Sequence, residues 1–185
     1  MKNPRVIKIC VSGLLIAIGL IIPIFSPVKV VLEPASFTLA SHVPIFIAMF
    51  ISPVMAVAVA LGTTLGFFMG GFPIIIVIRA STHIFFALAG SFLLHKVTKK
   101  ELSALHLRIF SFYIAVIHAL GELIVVSVFY FDGNISQAHL DQGFLTSVLL
   151  LVGVGTVIHS MIDFEIARLI ILPLKKQKNL AQYIK

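Results

Sequence analysis

The chain has 185 residues, 59% of them apolar and only 11% charged, where a soluble domain carries roughly 25% charge. That composition excludes an ordinary soluble enzyme, and the single cysteine, Cys10, excludes a disulfide framework or a cysteine-based metal motif. The net charge of +7 is gathered in clusters beside the ends of apolar runs, which reads as positive-inside flanking of membrane spans rather than as a nucleic-acid surface.

Several apolar runs reach the roughly 20 residues needed to cross a bilayer. They predict an all-α integral membrane protein, a single domain in the form of a six-helix bundle. The spans are drawn at 7–27, 42–52, 54–69, 72–94, 108–131 and 144–172, with a basic tail over 173–185. The first run has the basic-then-apolar character of a signal peptide. It is longer than a typical apolar signal core and no small-x-small cleavage site follows, so it reads as a retained span. It carries a small-xxx-small step at Gly13 and Ala17, which suits close helix approach, within the bundle or to a partner protein.

Residues 28–41 are amphiphilic, with Glu33, Pro34, Ser36, Thr38 and Ser41 interleaved among apolar residues. They read either as a loop leading into span two or as a lid folded back over the bundle, where non-helical backbone needs protein or a wet cavity for its hydrogen bonds. Span two is short: it starts inside this segment or does not cross fully. Ser52-Pro53 breaks it from span three. Gly62, Gly66 and Gly70 line one face of span three, and Gly70-Gly71-Phe72-Pro73 ends it. With six spans, the N-terminus, the loop from Lys96 to Arg108 and the tail all fall on one side, which predicts cytoplasmic termini.

Three of these spans carry ionisable residues four apart: Arg79 and His83, His118 and Glu122, His159 and Asp163. A four-residue step puts both members on one helix face, and charge at membrane depth belongs in a bundle interior or a polar cavity. Helical rise places Arg79 roughly 10 Å and Glu122 roughly 13 Å below the same surface. The histidines fall near mid-depth and Asp163 further in, where it reads as structural rather than as a ligand contact. Arg79 offers a permanent charge and a planar fork for a carboxylate, from a substrate or from Glu122. His83, His118 and His159 are of a metal-ligating type, but span spacing assigns no metal site. There is no His-Glu-x-x-His and no nucleotide-binding loop, so neither catalysis nor ATP hydrolysis is expected of this chain, and no cofactor.

The stretch from Pro34-Ala35-Ser36-Phe37-Thr38-Leu39-Ala40-Ser41-His42-Val43-Pro44 to Gly62-Thr63-Thr64-Leu65-Gly66-Phe67, with Gly71-Phe72-Pro73 and Arg79-Ala80-Ser81-Thr82-His83, resembles the substrate-binding (S) components of energy-coupling factor (ECF) vitamin transporters, most closely the niacin-type branch. The resemblance implies a vitamin site near the outer face, built from the loop after span one and from spans four to six. Its residues would be Glu33, Phe37, Thr38, Arg79, His83, His118, Glu122 and His159. Arg79 would meet a nicotinate carboxylate, a phenylalanine such as Phe37 the pyridine ring, and a histidine its nitrogen. Gly13 and Ala17 stand where the family docks onto a coupling subunit, with Gly in place of the first Ala. The implied partners are that subunit, two ATPases and the lipid bilayer. The competing readings are a stand-alone carrier or channel for a small anion or metal ion, and pantothenate or another small carboxylate as the vitamin.

Overall fold

The computed structural model describes residues 4–32, 34–97, 103–177 and 184. Helix α1 (Pro4–Phe25) leads into a small antiparallel hairpin of β1 (Lys29–Leu32) and β2 (Ala35–Thr38), with Lys29 opposite Thr38 and Leu32 opposite Ala35. Then follow α2 (Val43–Ile51), α3 (Pro53–Met69), α4 (Ile74–Ser81), α5 (His83–Phe92), α6 (Ala104–Phe131), α7 (Gln137–Asp141) and α8 (Gly155–Lys176). Residues Leu93–Val97 continue α5 as π-helix, and Leu145–Val154 form a π-helical lead into α8. The hairpin apart, this is an all-α membrane protein. Among the described residues, four helical stretches are long and apolar enough to cross a bilayer: Arg5–Phe25, Ile74–Lys96, Ala104–Phe131 and Leu145–Lys176.

The stretch Ile74–Lys96 is not one regular helix. It breaks at Thr82, whose Oγ1 donates to the Arg79 carbonyl at 2.7 Å, a side-chain bond that competes with the helical ladder. The break lies between Arg79 and His83, and a Cβ on Gly121 of α6 would come within 2.9 Å of Thr82, so α6 packs closely against it.

Helices α2 and α3 are shorter, at nine and 17 residues, so α2 covers only about 13 Å. The reason is that the chain is already deep in the bundle when α2 begins. His42, just before α2, lies with its ring centroid 4.6 Å from that of His118, near the middle of α6. Residues 39–42 therefore run as non-helical backbone from exposed Leu39 down to buried His42, and their polar groups are met by protein. Leu39 N–H donates to Val28 O and Ser41 N–H to Thr38 O, while Ala40 and His42 N–H donate to the Asp163 carboxylate of α8 at 2.7 and 2.9 Å. Asp163 thus occupies the N-terminal end of α2, where a negative group also complements the helix dipole.

The apolar core lies beyond this point, around Phe46, Met49, Phe86, Ile114 and Phe164. Phe46 packs on both Phe86 and Phe164 with ring centroids 5.4 Å apart. Helix α1 is held from outside, chiefly by α3, through glycines: a Cβ at Gly66 would fall 1.3 Å from Leu20 Cδ2, and one at Gly62 2.7 Å from Ile16 Cδ1. Large apolar side chains such as Leu14, Ile21, Leu65, Phe68, Phe85, Ile124 and Ile158 point outward and make a surface suited to lipid.

Candidate ligand-binding site

Helices α4, α5, α6 and α8 and the start of α2 turn their polar residues toward one interior, and the hairpin lies against it. Arg79 Nη1 donates to the Pro34 carbonyl of the hairpin at 2.7 Å, and Nη2 donates to Glu122 Oε2 at 2.9 Å. Arg79 and Glu122 are each only 4% exposed. Thr156 of α8 donates to the same Glu122 oxygen at 2.5 Å, while Oε1 stands 3.5 Å from His118 Nε2 and 3.7 Å from His83 Nε2. One carboxylate thus joins α4, α5, α6 and α8. A buried charge pair repays desolvation only when its remaining hydrogen-bonding positions are met; here the hairpin and Thr156 supply part of that, and Arg79 Nε is left without a partner.

A second carboxylate organises the other side. Asp163 Oδ2 lies 3.1 Å from His42 Nδ1 and 3.4 Å from His159 Nε2. Ser41 Oγ bridges the two imidazoles, 3.2 Å from His42 Nδ1 and 3.3 Å from His159 Nε2. His42 therefore sits among three other imidazoles, with ring centroids 4.7 Å from His83, 4.6 Å from His118 and 5.0 Å from His159.

Between these groups is a cavity of about 50 Å³, lined by Ser36, Phe37, Thr38, His42, Arg79, His83, His118, Glu122 and His159, with Phe67, Phe72 and Ile76 among its apolar walls. It shares Ser36, Phe72 and Ile76 with a larger cleft of about 630 Å³ between the hairpin, the start of α4 and residues Phe129–Ser136. The cleft and the cavity thus adjoin at the hairpin edge. Phe37 closes the other flank: its ring lies 5.5 Å from that of His159, and a Cβ on Gly155 would meet its Cζ at 2.6 Å. Chemically, the cavity offers one permanent cation, imidazoles able to donate or accept, and aromatic walls. Among the described residues, two sets of side chains have ligand atoms close enough to hold a metal ion, His42 with His83 and His118, and His42 with His159 and Asp163.

Of the residues singled out in the sequence, Phe37, Thr38, Arg79, His83, His118, Glu122 and His159 line one cavity. Glu33 lies outside the described residues. Gly13 and Ala17 are far from the cavity on the exposed face of α1. Two pairs meet as their spacing predicts, His118 with Glu122 and His159 with Asp163, whereas Arg79 and His83 meet through Glu122. The residue the spacing argument did not pick is His42. It stands at the boundary of an apolar run and has no partner four positions away; the signal was a lone imidazole where an unusually short span begins. Thr156 was also missed, although it lies on the face of α8 that carries His159 and Asp163.

No family profile matches the chain, and no solved structure matches it. Among proteins of curated function, it is 41% identical over 167 residues to the niacin transporter NiaX of Lactococcus lactis subsp. cremoris (strain MG1363), a match covering 90% of this chain and 73% of that one. An identity of this extent shows that the chain belongs to the family of niacin-type S components of ECF transporters.

Proposed function

We propose that this protein is the substrate-specificity subunit of an ECF-type importer and that its vitamin is nicotinate. In this reading it crosses the membrane six times with both termini in the cytoplasm, and α2 completes its crossing by way of the inserted segment 39–42. The vitamin is taken up at the hairpin side and delivered inward when the protein docks onto a coupling subunit served by two ATPases.

The observation that carries the reading is Arg79, buried beneath the hairpin beside the cavity with its Nε unpartnered. A carboxylate entering there joins the Arg79–Glu122 pair and takes up that free donor. The pyridine ring lies against Phe37, and a lining histidine meets its nitrogen. A volume of about 50 Å³ falls well short of the roughly 300 Å³ lower end of small-molecule pockets, so nicotinate enters as the hairpin swings out and is enclosed as it returns. The stand-alone carrier is less well supported. Asp163 is engaged with the backbone before α2, and Glu165 with Arg168 at 2.7 Å, so the polar groups toward the other end are tied to one another rather than lining a path.

Calorimetry on the purified protein tests this directly. Nicotinate binds with one-to-one stoichiometry and outcompetes pantothenate, and nicotinamide, which lacks the carboxylate, binds more weakly. Arg79→Ala costs on the order of 1.5–3 kcal/mol, about ten- to a hundredfold in affinity. Unchanged nicotinate affinity in Arg79→Ala removes the site as drawn.

A further inference from the structure

Both ring nitrogens of His83 and both of His118 are buried and lack a hydrogen-bond partner. The two residues are 5% and 1% exposed, so bulk solvent does not reach them, and a buried unpaired polar group is costly. Glu122 already stands near both Nε2 atoms, a pyridine nitrogen can meet one Nδ1, and a carboxylate is matched by Arg79, so a vitamin of the proposed kind leaves an imidazole nitrogen unmet. A metal cation meets several imidazole lone pairs at once. His42, His83 and His118 each place one ligand atom within 4.8 Å of the others. A tetrahedral zinc-class ion with bonds of about 2.0–2.1 Å holds its ligands about 3.3 Å apart, so small side-chain rotations bring the three into range.

The surroundings fit the same ligand. A metal-bound histidine is normally oriented by a carboxylate on its other nitrogen. Asp163 stands 3.1 Å from His42 Nδ1, which leaves Nε2 for a ligand, and Glu122 stands 3.5 and 3.7 Å from Nε2 of His118 and His83. Two carboxyl groups, Asp163 and Glu122, stand in the cluster beside one guanidinium, Arg79. The cavity of about 50 Å³ accommodates an ion with a bound water, whose share of the liquid is about 30 Å³. The other close set, His42 with His159 and Asp163, is less open to an ion, because Asp163 already accepts two backbone N–H groups.

We infer that His42, His83 and His118 form a binding site for a divalent transition-metal cation of the zinc class, with a fourth position open to the cavity. The assignment stands apart from the vitamin reading, since it is made for the protein without vitamin. The test uses the full chain without a histidine tag, purified in detergent and stripped with a chelator. Cobalt(II) is titrated in while visible absorption is read, because tetrahedral cobalt absorbs far more strongly than the octahedral aquo ion. One equivalent per chain, with an intense band abolished by zinc, is the expected result. His83→Gln and His118→Gln each weaken binding at least tenfold, while His106→Gln, at an exposed position on α6, leaves it unchanged. Absence of the intense band in the unaltered protein overturns the proposal, as does a band that survives in both His83→Gln and His118→Gln or is lost in His106→Gln. The unaltered protein decides the matter even if a variant fails to fold. Nicotinate binding by the stripped protein reports on the vitamin site alone.

Discussion

Asp163 shows how one side chain can set the geometry of a site without lining its cavity. It accepts the N–H groups of Ala40 and His42 and lies within hydrogen-bonding distance of His42 Nδ1. It also holds Ala40 at φ 68°, a left-handed conformation that a residue with a Cβ adopts only at a cost of about 1–2 kcal/mol. Replacing Asp163 with Ala strands two backbone donors, one at half-buried Ala40 and one at buried His42. At about 1–3 kcal/mol for each unmet group, Asp163→Ala is expected to destabilise the protein by roughly 3 kcal/mol or more. Asp163→Asn, which keeps one acceptor oxygen, is expected to lose less. Thermal unfolding in detergent measures both, and equal melting temperatures for Asp163→Ala and the unaltered protein would show that the segment before α2 is anchored elsewhere. The i, i+4 spacing of His159 and Asp163 made their contact legible in the sequence. The partner that matters most for position, the backbone of residues 40–42, lies over 120 residues earlier in the chain, and no local pattern encodes it.

At the scale of elements, the helices were legible because apolar runs and Pro or Gly breaks carry local signals: Ser52-Pro53 does separate α2 from α3, and Gly70-Gly71 follows α3. The break at Thr82 was not, because Ala80-Ser81-Thr82 contains no strong breaker; it arises from the Thr82 hydroxyl and from close packing on Gly121. The break matters to the site, since Arg79 and His83 lie on either side of it and still reach the same carboxylate. The glycines of α3 have an equally specific role. Gly66→Ala puts a methyl group within 1.3 Å of Leu20 Cδ2, and such overpacking costs typically about 1–3 kcal/mol. The expected outcome is a lower melting temperature, with much of the loss recovered in Gly66→Ala/Leu20→Ala because the second change vacates the space. Recovery would assign the cost to the α1–α3 contact; its absence would place it within α3 itself.

The whole molecule is asymmetric about α1. Leu15, Gly19 and Pro23 on one side of this helix are buried, while Gly13 and Ala17 are exposed, and nothing lies within 4 Å of where a Cβ on Gly13 would stand. Small residues in membrane helices let backbones approach closely. Gly19 and α3 use that property inside the protein, but among the described residues no helix packs on the Gly13–Ala17 step. A leucine would serve lipid contact equally well there. In the proposed importer this step receives the coupling subunit, on the opposite side of the protein's work from the cavity. The two tasks are then separable. Gly13→Leu, or Ala17→Leu, introduces bulk at an unfilled surface, so stability and nicotinate affinity of the isolated protein are expected to stay as they are. Nicotinate uptake by cells that also express the coupling subunit and ATPases is expected to fall at least tenfold, because the helices can no longer approach closely. Arg79→Ala should give the converse pattern, with binding lost while co-purification with the coupling subunit persists. Uptake undiminished in both α1 variants would move the docking face to another helix and leave the outward small-residue step without a role in transport.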